Sequence, residues 1–147
     1  MTKPIYVLNG PNLNRLGTRE PEIYGTTTLA EIEGMCKSAA GKHPLRFHQS
    51  NAEHEIIGWI HEAIDQGAGI IINAAAYTFT SLAILDALKM FPGPIIELHI
   101  SNIHRREPMY QNSLLSKAAT AVIVGLGAKG YPAAVAAMLA LLDRKAK

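Results

Sequence analysis

Apolar residues along this chain follow two alternating rhythms. Short, β-branched runs at residues 5–8, 45–49, 70–72, 95–100 and 121–124 have the length and composition of strands. Longer segments between them carry apolar residues three and four apart. Thr28-Leu29-Ala30-Glu31 is a capping box that opens one such helix, with Leu29, Ile32, Cys36 and Ala39 on a single stripe and Gly41 as its stop. A second helix is predicted over residues 51–66, burying Ile56, Ile60, Ala63 and Ile64, with Gly67 as a left-handed terminator. Thr80 or Ser81 caps a third, which carries Leu82, Leu85 and Leu88 and is broken by Pro92-Gly93-Pro94. The last is entered through Gly130-Tyr131-Pro132 and aligns Val135, Met138, Leu139 and Leu142.

Alternation of strand and helix predicts an α/β fold, a parallel sheet with helices on both faces. The third and fifth strands are apolar on both faces and read as interior. The second alternates Leu45 and Phe47 with Arg46 and His48 and reads as an edge. A doubly wound sheet binds ligands beyond the carboxyl ends of its strands, where strand order reverses. Polar residues follow four of the five predicted strands: residues 9–14, Ser50 and Asn51, Asn73, and residues 99–102. Helix capping accounts for Ser50 and Asn51; it does not account well for the others.

The 147 residues, 48% of them hydrophobic and 18% charged, suffice for one packed domain spanning residues 1–147. A net charge of +2 lacks the basic density that nucleic acid or an anionic membrane surface demands, so neither is expected as a partner. The lone Cys36 excludes an internal disulfide and a cysteine-built metal site, and suits the cytoplasm. The apolar segment 133–142 is about half of the ~20 residues a membrane helix needs, and the N-terminus does not resemble a signal peptide.

Residues 9–25 make a long connection where 2–6 residues is the usual range, which suggests a lid or binding loop. It holds several amides, Arg15, Arg19 and Tyr24. A tyrosine serves as a base only if its pKa falls from about 10, and a guanidinium about 4 Å away supplies on the order of 4 kcal/mol toward that. The same ring could instead simply pack beneath the loop. In Glu97-Leu98-His99-Ile100-Ser101-Asn102, alternation places Glu97, His99 and Ser101 on one face. A carboxylate beside an imidazole fixes its tautomer and suits a general acid, although a purely structural pair would read the same way. Ser101 and Asn102, with backbone amides at the strand end, suit a small anion. Gly125-Leu126-Gly127-Ala128-Lys129-Gly130 matches G-x-G-x-x-G, yet no further strand-helix unit follows to supply a ribose-binding carboxylate, so tight helix–sheet packing is its expected use. His43, His48, His54, His61 and His104 show no metal-ligand spacing, and Arg105-Arg106 read alone is a solvated basic pair.

Together, Asn9-Gly10-Pro11-Asn12-Leu13-Asn14, Gly17-Thr18-Arg19-Glu20-Pro21-Glu22-Ile23-Tyr24-Gly25, Glu97-Leu98-His99-Ile100-Ser101-Asn102-Ile103-His104 and Val122-Ile123-Val124-Gly125-Leu126-Gly127 resemble the type II 3-dehydroquinate dehydratases. The resemblance spans essentially the whole chain. It implies a flavodoxin-like doubly wound five-stranded sheet, no metal or organic cofactor, trimers assembled into a dodecamer, and a place in the shikimate or quinate pathway. It further implies that Tyr24, aided by Arg19, removes a proton from carbon 2 of 3-dehydroquinate. A water held through Asn12 would stabilise the enolate, and His99, oriented by Glu97, would protonate the departing hydroxyl. Asn73, Ile100, Ser101, Asn102 and Arg106 would hold the substrate, and Asp86 would reach a neighbouring subunit's site.

Two departures from the family pattern stand out. Ala75 and Phe79 replace a glycine and a histidine after Asn73, and Tyr110 stands where a second arginine normally follows Arg106. A buried substrate hydroxyl left unpaired costs ~1–3 kcal/mol. Two further readings therefore stay open: dehydration of a related, less hydroxylated cyclic keto acid, or a non-catalytic module that binds small anions.

Overall fold

The computed structural model describes residues 2–18 and 20–146; Arg19 lies outside the described residues. The strands are β1 (Ile5–Asn9), β2 (Leu45–Gln49), β3 (Gly69–Asn73), β4 (Ile95–His99) and β5 (Ala121–Val124). The helices are α1 (Pro21–Tyr24), α2 (Leu29–Ala40), α3 (Glu53–Gln66), α4 (Leu82–Lys89) and α5 (Gly130–Ala146). All strand pairs are parallel, in the flavodoxin-like order β2-β1-β3-β4-β5. β1 shows how the layers arise. Ile5 and Val7 face a core built with α2 and α5, whereas Tyr6 and Leu8 face a second core built with α3 and α4.

Local signals set the helix ends. Thr28 Oγ1 accepts from Glu31 N at 3.2 Å while Thr28 N donates to Glu31 Oε1 at 3.3 Å, closing the capping box at the start of α2. Ser81, rather than Thr80, caps α4 by accepting from Ile84 N at 2.9 Å. Two expectations need correction. Gly67 has φ −99° and is no left-handed terminator; a Cβ there would lie 2.9 Å from the Tyr6 ring, so close packing is what excludes a larger residue. β5 is an edge strand, paired only with β4 in the sheet order, and Val122 on it is exposed. Apolar residues on both its faces reflect α5 on one side and bare surface on the other.

Strand order reverses between β1 and β3, so the crevice opens at Asn9 and Asn73, which are Cα partners in the ladder. A buried network closes its floor. Tyr131, at the start of α5, donates to Asn9 Oδ1 at 2.7 Å and accepts from Asn73 Nδ2 at 2.9 Å. Asn9 Nδ2 continues to the His48 carbonyl at 3.0 Å, and Asn73 Oδ1 accepts from Ala75 N at 3.3 Å. Four elements thereby share one set of hydrogen bonds. Gly10 lets the two loops meet, because a Cβ at that position would stand 2.3 Å from the Ala74 carbonyl oxygen. The glycine-rich run likewise serves packing: a Cβ at Gly130 would lie 3.1 Å from Leu98 and one at Gly125 3.2 Å from Asn102.

Tyr131→Phe keeps the ring but strands Asn9 Oδ1 and Asn73 Nδ2 in a dry interior. At ~1–3 kcal/mol for each of the two unmet groups, urea unfolding is expected to show a loss of about 2–6 kcal/mol with little change in m-value. An unchanged midpoint would show that these amides find other partners.

Candidate active site

A cavity of ≈ 280 Å³ opens over the carboxyl ends of β1, β3 and β4. Its volume sits near the lower end of ordinary ligand sites and suits one small ring rather than a dinucleotide. Asn12, Tyr24, Asn73, Phe79, His99, Ile100, Ser101, Arg106 and Tyr110, all singled out from the sequence, line it. Pro11 and Leu13, from the loop flagged after the first strand, Ala75, one of the departures from the family pattern, and Ala76 and Ile103, which were not singled out, complete the wall. Three expected residues stand elsewhere. Glu97 lies behind His99, fully buried. Asn102 is absent from the wall: its Oδ1 caps the following turn by accepting from His104 N at 3.1 Å. Asp86 is on the exposed side of α4.

Backbone geometry aims these groups. Asn12 occupies the left-handed region at φ 71°, a conformation asparagine tolerates, and its N–H is fixed by Asn51 Oδ1 at 2.9 Å. Asn51 thus ties the first loop down instead of capping α3. Ser50 does act locally, accepting from Ala52 N at 2.9 Å. Ala75 is held at φ 51°, a region costly for a residue with a Cβ. The short α1 carries Tyr24 to the cavity mouth, where its ring packs on the core edge and its hydroxyl also meets a charge. Arg106 Nη1 donates to Tyr24 Oη at 3.1 Å. Of the Arg105-Arg106 pair, only Arg105 is fully exposed.

His99 Nε2 donates to Glu97 Oε2 at 2.5 Å, which leaves Nδ1 as the ring nitrogen available to a ligand. Ser116 Oγ donates to the other carboxylate oxygen at 2.5 Å. Burial opposes charge on Glu97, but hydrogen bonds from His99, Ser116 and Ser113 outweigh it and hold the carboxyl below its ordinary value of 4.5. Phe79 lies against His99, with ring centroids 6.1 Å apart at 26°, and meets Tyr110 edge-on at 5.9 Å. Among the described residues, no group of three or more His, Cys, Asp or Glu is placed to hold a metal ion.

The chain as a whole has known counterparts. A family model described as dehydroquinase class II matches residues 3–139. The chain belongs to that family. The 3-dehydroquinate dehydratase of Acidovorax sp. (strain JS42) is 53% identical over 142 residues, covering 92% of this chain and 96% of its own. The 3-dehydroquinate dehydratase 2 of Agrobacterium fabrum is 55% identical over 141 residues, covering 94% and 95%. The crystal structure of type II dehydroquinase from Propionibacterium acnes aligns with a TM-score of 0.90 at 42% identity, covering 95% of this chain and 98% of that one. Family membership, the flavodoxin-like order and the cavity over the switch point agree.

The lowered Glu97 pKa carries a signed consequence. The unfolded chain binds this proton more readily than the folded one, so as pH falls below 4.5 the stability contributed by the pair is progressively lost, until pH passes the folded value. Glu97→Gln is expected to be less stable than the parent at pH 7 and to close that gap in acid, read from urea midpoints across the range. A gap that stays constant with pH would assign the acid sensitivity to another group.

Proposed function

We propose that this chain is a 3-dehydroquinate dehydratase that eliminates water anti, through an enolate, to give 3-dehydroshikimate. The single observation that carries this reading is the convergence of Tyr24, paired with Arg106, and His99, paired with Glu97, on one small cavity. Tyr24 as phenolate removes the proton from carbon 2. The electron pair moves onto the neighbouring ketone as an enolate, stabilised by a water held through Asn12. His99 then gives a proton to the hydroxyl on carbon 1, the carbon–oxygen bond breaks, the double bond forms between carbons 1 and 2, and water leaves. Glu97 is the positioning residue for His99, and its ionised state is the one that stabilises an imidazolium. Ile100 and Ser101, at the end of β4, hold the substrate carboxylate. Asn73 gives one of its two N–H donors to Tyr131 at 2.9 Å, which orients the amide and leaves the second for a substrate hydroxyl. Arg19 keeps the supporting role that the resemblance gives it.

The assembly proposed with this activity is a dodecamer of trimers, with Asp86 directed toward a neighbouring subunit's cavity. Its support is the outward face of α4, where Asp86 lies on a helix that also exposes Leu82 and is followed by the exposed Met90. Cys36, whose thiol is pushed up to about 12 by burial and the nearby Glu33 charge, fits a cytoplasmic protein with no use for thiol chemistry.

Purified protein mixed with 3-dehydroquinate is expected to develop the absorbance of a conjugated enone, and silence across a broad range of pH and concentration would overturn the assignment. Tyr24→Phe and His99→Ala should each lower kcat by about 10²–10⁴-fold while changing ligand affinity far less. Loss of affinity alone, with no turnover in the parent, would identify a small-anion receptor. One observation favours a second substrate: Phe79 offers no hydrogen bond to a ring hydroxyl. A related, less hydroxylated keto acid is the better substrate if Phe79→His raises kcat/KM on 3-dehydroquinate by about tenfold or more; no gain removes that alternative.

A further inference from the structure

Arg106 is a long side chain leaving a one-turn 3₁₀ segment (Ile103–Arg105), with exposed residues on both sides of it. Left alone, such a chain samples many rotamers, yet the site needs its guanidinium at one point beside Tyr24 Oη. Three contacts restrict it. Gln111 donates through Nε2 to the Arg106 carbonyl and, at 3.3 Å, to that of His104, which fixes the backbone. Tyr24 receives the guanidinium at 3.1 Å. The third is the face of Tyr110, on the turn Pro108–Tyr110, whose ring centroid lies 4.2 Å from Arg106 Cζ, closer than the 5.7 Å to the Tyr24 ring. Tyr110 is itself braced edge-on by Phe79, which lies against His99.

We infer that Tyr110 is a positioning residue, a π-face that clamps the Arg106 guanidinium against the oxygen of Tyr24, and that Phe79 extends this aromatic wall to the imidazole of His99. The inference rests on the dehydratase reading for its kinetic consequence, though not for its geometry. A second arginine at position 110 would repel Arg106 and would need substrate charge to hold both; a tyrosine face attracts the guanidinium before any substrate arrives. The two aromatic departures from the family pattern then become one device. They exchange grip on ring hydroxyls for a site organised in advance.

The test compares Tyr110→Leu, which removes the face, with Tyr110→Phe and Tyr110→Trp, which keep it. Tyr110→Leu is expected to lower kcat by about 3- to 10-fold with a smaller change in KM, and the two aromatic variants to recover most of that loss. Combined with Arg106→Ala, Tyr110→Leu should cost nothing further, because the clamp then has nothing to hold. An equal loss in both backgrounds, or aromatic variants no better than leucine, would overturn the inference. Tyr110→Gln serves the same comparison if the leucine variant does not fold. A separate readout needs no turnover: ¹⁵N relaxation of Arg106 Nε–Hε should report a marked drop in order in Tyr110→Leu. Unchanged order refutes the clamp, whereas a drop in a protein that leaves 3-dehydroquinate intact retains the clamp and refutes the dehydratase reading.

Discussion

A phenol buried between two asparagines holds the binding crevice in register. Tyr131 is completely inaccessible, and burial pushes its pKa far up, so the hydroxyl keeps its proton wherever the fold persists. It can therefore donate to Asn9 and accept from Asn73 at the same time. Those asparagines end the two strands between which chain order reverses, and the first residue after each begins a loop that lines the cavity. Without this bridge, Asn9 Oδ1 and Asn73 Nδ2 would lose a shared partner, and the loops bearing Asn12 and Phe79 would be joined at their roots by the backbone bond from Gly10 N to the Asn73 carbonyl (2.8 Å) without the side-chain brace beneath it. Tyr24 is the same residue type in the opposite setting: half-buried at a cavity mouth and facing a guanidinium. Environment, not residue identity, divides the two tyrosines into a permanent donor and a proposed base.

The acid side of the site follows a similar logic one layer deeper. A carboxylate in the middle of a parallel strand is costly unless its oxygens are satisfied. Glu97 has both oxygens engaged, one by His99 and one by Ser116, from a turn at residues 115–117 beyond β4. That turn packs on α4. The orientation of the imidazole therefore depends on a contact between a loop and a helix that never touch the cavity.

Such dependence marks the boundary of what local pattern can disclose. The capping box at Thr28, the serine cap at Ser81 and the alternation through Glu97 and His99 are decided by residues within four positions of one another, and all are readable in the chain. So is the cluster of polar residues past the strand ends, because a parallel sheet leaves that edge to ligands. The edge position of β5 is not readable: a run apolar on both faces describes a strand covered by a helix as well as one between two neighbours, and only non-local pairing separates them. Tyr131 looked like part of a helix entry because its partners are 58 and 122 residues away. Ser116 carries no signal until Glu97 is known to lie beneath it. Arg106 reads as half of a solvated pair by local pattern and is placed at the site only by the family resemblance, because its partner Tyr24 is 82 residues away.

Aromatic groups in a site of this kind alter more than recognition. Phe79 and the ring face of Tyr110 put apolar surface, not a hydrogen-bonding competitor, against their side of the imidazole and the guanidinium. A hydrogen bond is electrostatically stronger where the surrounding dielectric is lower, so the Glu97–His99 and Arg106–Tyr24 hydrogen bonds both gain from such neighbours. A polar wall would recruit water, loosen both pairs and rely on substrate to reorganise them. The aromatic wall links the two pairs through consecutive ring contacts, from His99 to Phe79 to Tyr110 to Arg106. Groups that read in the sequence as lost contacts are, in the folded chain, the packing that holds the two proposed proton-transfer groups in place.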